Sequence, residues 1–272
     1  MESSHLTIRS TQSLAACNFC KIGVYFLMMI ALFITSPVAA QETANQHPLV
    51  PALEMAKHSL EKLNKIKDYQ STFVKREFIN NQLTTEQTLL KVRHKPFSVY
   101  MRFISPAPGR EVLYVEGKNQ NQLLAHEASG LSSLVGTVSL PVNSPTVMAN
   151  TRHPITDAGM KRLMELVIEQ WELESKYGEI DVKFYPDAKM GDIACEVIEV
   201  THPRPRRQFK FALTRVFFEK NSRLPVRVEN YGFPVPPNQK PQLLEEYTYQ
   251  NLKLNAGFTD ADFDRNNPNY SF

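Results

Sequence analysis

Short runs of alternating apolar and polar residues fill the segment 68–127. In residues 97–103 every second residue is large and apolar: Phe97, Val99, Met101 and Phe103. Alternation with a period of two is typical of a strand that buries one face. Short turns such as residues 106–109 lie between the runs, and they favour antiparallel hairpins over parallel strands joined by helices.

Patterns in the rest of the sequence predict two helices, a long loop and further strands. Apolar residues recur at helical spacing in residues 52–66 and 157–176, which predicts two amphipathic helices. Thr156 or Asp157 is placed to cap the second helix. Residues 128–155 are rich in Gly and Pro and are predicted to form a long irregular loop, a kind of segment that is often functional. The predicted strands cover residues 69–78, 84–95, 97–103, 111–116, 122–126, 180–185, 193–201, 208–219, 224–230 and 244–254.

Successive hairpins interrupted by one long helix indicate an α+β fold. About ten strands are too many for a flat open sheet, so we expect the sheet to curl. The predicted fold is a strongly curved antiparallel half-barrel with two main helices at its mouth.

The N-terminus has the pattern of an export signal. Lys21 precedes the apolar run 22–34, and the small residues Val38, Ala39 and Ala40 follow it, as at a signal cleavage site. We therefore expect residues 1–40 to be a signal peptide that is cleaved after Ala40, residues 41–50 a flexible leader, and residues 51–272 a single domain. The predicted location is the periplasm; an uncleaved N-terminal anchor is the alternative.

Charge and cysteine content argue against a nucleic-acid-binding protein and against a disulfide-stabilised domain. The formal net charge of +3 over 272 residues gives no general attraction to nucleic acid. Cys17 and Cys20 fall within the predicted signal, so Cys195 alone remains, and no intramolecular disulfide can form after cleavage. Cys195 lies in an apolar, strand-like run and is expected to be a buried, inert thiol.

The sequence shows no catalytic constellation. Ser59 and Lys62 have the S-x-x-K spacing of serine acylases, but the partner motifs are missing. The histidines have no metal-ligand spacing, and the acidic run 260–264 lacks the glycine and closing glutamate of a calcium loop. We therefore expect no enzyme activity, metal or cofactor; a hydrolase would need His153 or His126 beside a serine in a cleft.

Two groups of basic residues are candidate contacts for an anion or a lipid headgroup. Arg152 and His153 directly precede the second helix, whose N-terminus favours negative charge; the alternative is that they hold the loop in place. Arg204, Arg206 and Arg207 lie among prolines and suit acidic headgroups or an acidic protein; the alternative is a solvated hairpin tip.

Several short motifs resemble known families. The segments 94–97 and 110–118 are similar to the front half of the periplasmic lipoprotein-carrier (LolA/LolB-like) superfamily. The segments 152–156 and 262–272 resemble an uncharacterised family of exported bacterial proteins, the domain-of-unknown-function 1571 type. The resemblance implies a curved half-barrel with an apolar cavity between sheet and helices, and it carries no established activity.

We therefore expect a periplasmic binding or carrier protein for a lipid, an acyl chain or a lipoprotein. The alternative is an envelope protein-interaction or sensing module with a packed interior and a protein partner. The residues expected to line the groove are Phe97, Val99, Met101, Phe103, Val115, Met160, Met164 and Val167.

Overall fold

The computed structural model describes residues 46–236 and 240–272. The predicted signal peptide, residues 1–40, and residues 41–45 of the predicted leader lie outside these residues. The described chain has three α-helices: α1 Leu49–Leu63, α2 Pro145–Met148 and α3 Met160–Glu174. Its strands are β1 Asp68–Ile79, β2 Gln82–His94, β3 Phe97–Ser105, β4 Glu111–Val115, β5 Gln122–His126, β6 Val138–Pro141, β7 Asp181–Met190, β8 Ile193–Thr201, β9 Leu213–Glu219, β10 Pro225–Gly232 and β11 Gln242–Leu254.

The eleven described strands form one curved, open sheet in the order β6-β5-β4-β3-β2-β1-β11-β10-β9-β8-β7. All neighbouring strands are antiparallel. The α+β class is therefore confirmed in its coarse form, with one strand more than predicted. The additional strand, β6, lies within residues 128–155, which were predicted to be irregular; it is only four residues long, too short for a clear period.

The sheet separates two apolar layers. The inner face is the face that α1 and α3 cover, and the main core lies there. The outer face is covered at β3–β5 by the C-terminal segment, residues 255–272. Alternation along β3 divides its residues between the two: Val99 belongs to the main core, and Tyr100 to the outer cluster.

Helix α1 begins at Leu49 instead of residue 52. Leu49 is fully buried, so the last two residues of the predicted flexible leader belong to the helix. Ala52, Ala56 and Leu63 continue the same buried stripe, which explains why the sequence pattern identified the helix even though its first turn was missed.

Helix α3 begins at Met160, three residues later than predicted, and neither Thr156 nor Asp157 caps it. The Met160 amide donates instead to the Tyr69 hydroxyl on β1, at 3.0 Å. Gly159 precedes it with a φ of +102°, a conformation that favours glycine. The start of α3 is thus fixed by a contact across the core.

No helix in the described residues is long and apolar enough to cross a membrane.

Candidate functional site

A cavity of about 680 Å³ lies between the inner face of the sheet and α3 with the loop that precedes it. Small side chains of the inner face, Thr88, Val112 and Ala125, lie along it and leave space that the helix does not fill. Most of its lining is apolar: Phe73, Met101, Phe103, Val112, Leu123, Leu140, Val147, Leu163, Leu166, Val167, Trp171 and Tyr249.

One end of the cavity is polar. Glu77 of β1 and Glu245 of β11 face each other in register across the two central strands, and both are buried. The Tyr247 hydroxyl lies between them and donates to Glu77 Oε1 at 2.6 Å. Two buried carboxylates repel each other and lose hydration, so they require donors.

Arg152 and His153 supply those donors. The backbone amide of Arg152 donates to Glu77 Oε2 at 3.1 Å. The side-chain Nε of Arg152 donates to Glu245 Oε2 at 2.9 Å. His153 Nε2 lies 3.0 Å from the same Glu245 oxygen. We call Glu77, Arg152, His153, Glu245 and Tyr247 the polar cluster.

Contacts within the polar cluster shift the pKa values of Glu245 and Tyr247. Burial raises the pKa of Glu245. The hydrogen bond and charge of His153, together with a hydrogen bond from Asn230, have the larger effect and lower this pKa to about 2. Burial and the two carboxylates raise the pKa of Tyr247. At neutral pH Glu245 is therefore ionised and Tyr247 is a neutral donor.

Two further ion pairs lie along the cavity lining. Lys75 Nζ lies 2.8 Å from Glu86 Oε2, and Arg110 Nε lies 2.7 Å from Glu127 Oε1. All four residues line the cavity and are partly exposed.

The sequence from residue 66 to residue 272 matches the family "Protein of unknown function (DUF1571)". The chain belongs to the DUF1571 family. This confirms the family resemblance predicted from the sequence. No curated protein matches the chain.

Solved structures of low sequence identity resemble this DUF1571 protein. The lipoprotein LppX of Mycobacterium tuberculosis is 13% identical, with a TM-score of 0.45, over 79% of this chain and 100% of its own. LprF of Mycobacterium bovis is 11% identical, with a TM-score of 0.43, over 78% and 97%. A putative outer membrane lipoprotein-sorting protein domain of Vibrio parahaemolyticus is 14% identical, with a TM-score of 0.37, over 79% and 96%.

The groove residues predicted for this DUF1571 protein occupy three different places. Met101, Phe103 and Val167 line the cavity. The other inner-face residues of the prediction belong to or pack against the main core, outside the cavity lining: Phe97, Val99, Met160 and Met164.

Val115 corrects the prediction. It belongs to the cluster on the outer face, beneath the C-terminal segment. Its neighbour Tyr114 pairs with Val99 and lies in the main core. Because side chains alternate along β4, Val115 must point away from the cavity.

The predicted basic groups lie in different settings. Arg152 and His153 reach the cavity end but are bonded to Glu77 and Glu245, as the loop-holding alternative requires. Arg206 forms an exposed ion pair with Glu179 at 2.8 Å. Arg204 and Arg207 are exposed, and none of these three arginines lines the cavity.

The sequence analysis missed Glu77, Glu245 and Tyr247. A signal was present, because Glu77 is in phase with Phe73 and therefore falls on the buried face of β1. A carboxylate at a buried strand position requires a partner. That partner is 168 residues away along the chain, and nothing in the local pattern identifies it.

The described residues give no support for a hydrolase. Neither His153 nor His126 is hydrogen-bonded to a serine hydroxyl there. The S-x-x-K serine, Ser59, is buried on α1. Within the described ranges, no group of three or more His, Cys, Asp or Glu is arranged to hold a metal.

Proposed function

We propose that this DUF1571 protein is an exported binding or carrier protein for a molecule with a long apolar chain, such as a lipid or the acyl part of a lipoprotein, and that it catalyses no reaction. The observation that carries the proposal is the apolar cavity of about 680 Å³ beneath α3. Ligand cavities typically measure about 300–1,000 Å³ and combine apolar walls with a few polar groups.

The energetics suit such an occupant. Burial of one methylene group contributes about 0.8 kcal/mol, so about ten of them contribute about 8 kcal/mol, which corresponds to a micromolar Kd. Longer chains offset the entropy lost on association. The space left beneath α3 supports a carrier over an interaction module with a packed interior.

Binding is tested on protein purified from an envelope extract without detergent. Native mass spectrometry is expected to show a mass excess from a co-purified amphiphile. After delipidation, the neutral dye Nile red is expected to bind saturably, with one site and a blue-shifted emission. Absence of both the mass excess and saturable dye binding would falsify the proposal.

Export is part of the proposal and has its own test. Cleavage after Ala40 leaves Gln41 as the new N-terminus. Intact-mass measurement of protein from a periplasmic fraction is expected to show a chain that begins at Gln41. A chain that keeps residues 1–40 in a membrane fraction would indicate the uncleaved anchor instead.

A further inference from the structure

One end of the sheet collects most of the connections between strands. The pairing of Glu77 with Glu245 places the end of β1 and the start of β11 side by side. The other antiparallel pairings continue this edge across the sheet, so that five connections begin and end there: residues 80–81, 106–110, 127–137, 202–212 and 233–241. We call this edge with its five connections the loop end.

The loop end exposes large apolar side chains. Eleven such side chains are exposed in the described residues, and six of them lie in these connections or within two residues of them: Leu83, Ile104, Leu131, Leu134, Val135 and Val235. Leu131 and Leu134 are 86% and 83% exposed. They lie three residues apart in a short 3-10 helix, a spacing that puts both side chains on one side. Exposed apolar side chains grouped in this way mark a contact surface.

The loop end is also basic. The five connections contain six Lys and Arg residues against one carboxylate, Glu127, which pairs with Arg110 at 2.7 Å. The connection from α3 to β7 reaches the same end and adds one charge of each sign. Arg204, Arg207 and Lys210 are exposed, and none of the three forms an ion pair among the described residues.

The connection between β5 and β6 belongs to a long uncharged segment. Residues 128–151 contain no Asp, Glu, Lys, Arg or His, in a chain that is 22% charged. Leu131 and Leu134 lie on the exposed part of this segment, whereas Leu140 and Val147 line the cavity. Because the segment carries no charge, its tip can enter apolar surroundings without the cost of burying an ion.

We propose that the loop end docks on the surface of an anionic lipid bilayer, with Leu131 and Leu134 at the acyl boundary and Arg204 and Arg207 on the headgroups. Apolar side chains beside Lys and Arg are the combination that binds such an interface. Each cation near an anionic surface contributes about 1 kcal/mol. A protein partner would need both an acidic surface and shaped pockets for several separate tips, whereas a bilayer meets both needs without a shaped surface.

The position of the loop end also suits a carrier. Glu77 and Glu245 of the polar cluster lie at this end of the sheet, and Lys210 lines the cavity. A bilayer docked there would face the polar end of the cavity. The link between docking and the exchange of a carried amphiphile rests on the proposed function, whereas the bilayer contact is tested without it.

Vesicle flotation tests the docking. Delipidated protein is mixed with vesicles of phosphatidylcholine and phosphatidylglycerol, or of phosphatidylcholine alone, and the bound fraction is measured at low and at physiological salt. We expect the anionic vesicles to bind at least about tenfold more tightly than the neutral ones, the equivalent of about 1.4 kcal/mol. Salt should weaken the binding, because it screens charges at a surface.

An apolar double variant locates the contact. Leu131→Ser with Leu134→Ser is expected to lower the affinity for anionic vesicles at least about tenfold, because two leucines lose their burial in the bilayer. Both side chains are exposed, so the fold should be unaffected. Phe184→Ser with Leu254→Ser removes two exposed apolar side chains elsewhere and should leave the affinity unchanged.

A charge variant tests the basic part of the surface. Arg204→Gln with Arg207→Gln is expected to weaken binding to anionic vesicles and to leave binding to neutral vesicles unchanged. Lys95→Gln with Lys118→Gln is the matched control, because it changes the net charge equally at exposed positions in connections at the opposite end of the sheet. Equal effects of the two double variants would overturn the assignment of the contact to the loop end.

The outcomes separate docking from the carrier proposal. Ala125→Phe places a ring in the cavity and should leave vesicle binding unchanged; loss of binding in this variant, with the loop-end variants unaffected, overturns docking and assigns the binding to the cavity. No binding of the unmodified protein to anionic vesicles also overturns docking, leaves an acidic protein as the partner of this surface, and leaves the carrier proposal to the dye test. Vesicle binding without saturable Nile red binding supports docking and overturns the carrier proposal alone.

Discussion

Gly159 lies where the loop before α3 becomes helix, with a φ of +102°. A Cβ built there would come within 2.9 Å of the Tyr69 hydroxyl oxygen, and that oxygen accepts the first helical amide, from Met160. One position thus combines a backbone conformation that favours glycine, a steric limit and a helix cap.

Gly159→Ala is expected to lower the free energy of unfolding by about 1–3 kcal/mol, because it strains the backbone and displaces Tyr69. Urea denaturation followed by tryptophan fluorescence measures this, since Trp171 lies on α3. Gly178→Ala is the control: Gly178 is exposed and a Cβ there meets nothing within 4 Å. Equal effects of the two changes would contradict the argument.

Glu245 links the polar cluster to acid stability. Its pKa is lowered from 4.5 to about 2 in the folded protein, so its ionised form stabilises the fold above about pH 4.5. This contribution, about 3 kcal/mol, is lost as the pH falls toward 2.

Glu245→Gln should therefore flatten the dependence of the unfolding free energy on pH between 4.5 and 2. Urea titrations at several pH values measure the slope. Glu54→Gln, an exposed change on α1, should keep the slope of the unmodified protein. A slope unchanged by Glu245→Gln would show that the acid dependence has another source.

At the scale of elements, the C-terminal segment 255–272 covers the outer face of β3–β5. Phe263 is buried there, and the Tyr270 ring stacks on Tyr100 with a centroid distance of 4.0 Å. Lys91 Nζ lies 5.5 Å from the Tyr270 centroid and 3.2 Å from its hydroxyl oxygen. The segment stabilises one half of the sheet from the side opposite the cavity.

Phe263→Ala is expected to cost about 3–5 kcal/mol, because it leaves a void under the segment. Chemical denaturation measures the loss. Phe184→Ala is the matched control on the edge strand β7, where Phe184 is 46% exposed; it should cost far less. Because Phe263 lies outside the cavity lining, the affinity of the folded Phe263→Ala variant for Nile red should not change.

At the scale of the whole molecule, eleven strands enclose a space on one side of the sheet that two helices only partly fill. The central pair β1 and β11 joins the first and last strands of the chain. The pairing of β1 with β11 brings Glu77 to Glu245 at the polar end of the cavity.

Ala125→Phe tests whether this space is a binding site. Ala125 lines the cavity on β5, and a phenyl ring there fills part of the volume. We expect dye affinity to fall at least about tenfold, equivalent to about 1.4 kcal/mol, with little loss of stability because empty space receives the ring. Ala261→Phe, at an exposed position, should leave the affinity unchanged; equal affinities in the two variants would place the dye elsewhere.

The success of sequence prediction differed by element for physical reasons. The strand 122–126 and the strand 193–201 were predicted with the bounds of β5 and β8, because a short apolar run between turn residues is visible within a few residues. The start of α3 was wrong by three residues, because its cap is Tyr69, about ninety residues earlier. Strand β6 was missed, because four residues are too few to show a period.

The candidate site was predicted less completely. The period of two on β3 assigned Met101 and Phe103 to the inner face, where they line the cavity. Val115 was assigned to the wrong face, because apolarity alone does not distinguish the two sides of a strand that is buried on both. The charged lining was not predicted, since Glu77 and Glu245 meet only across β1 and β11.

The sequence alone determined the type of most elements, the amphipathic stripes of α1 and α3, and membership of the DUF1571 family, because these depend on residues close together in the chain. The tertiary structure decided the volume beneath α3 and the charges that meet along its lining. That volume is the distance between surfaces that are far apart in sequence, and it depends on how the whole sheet curves.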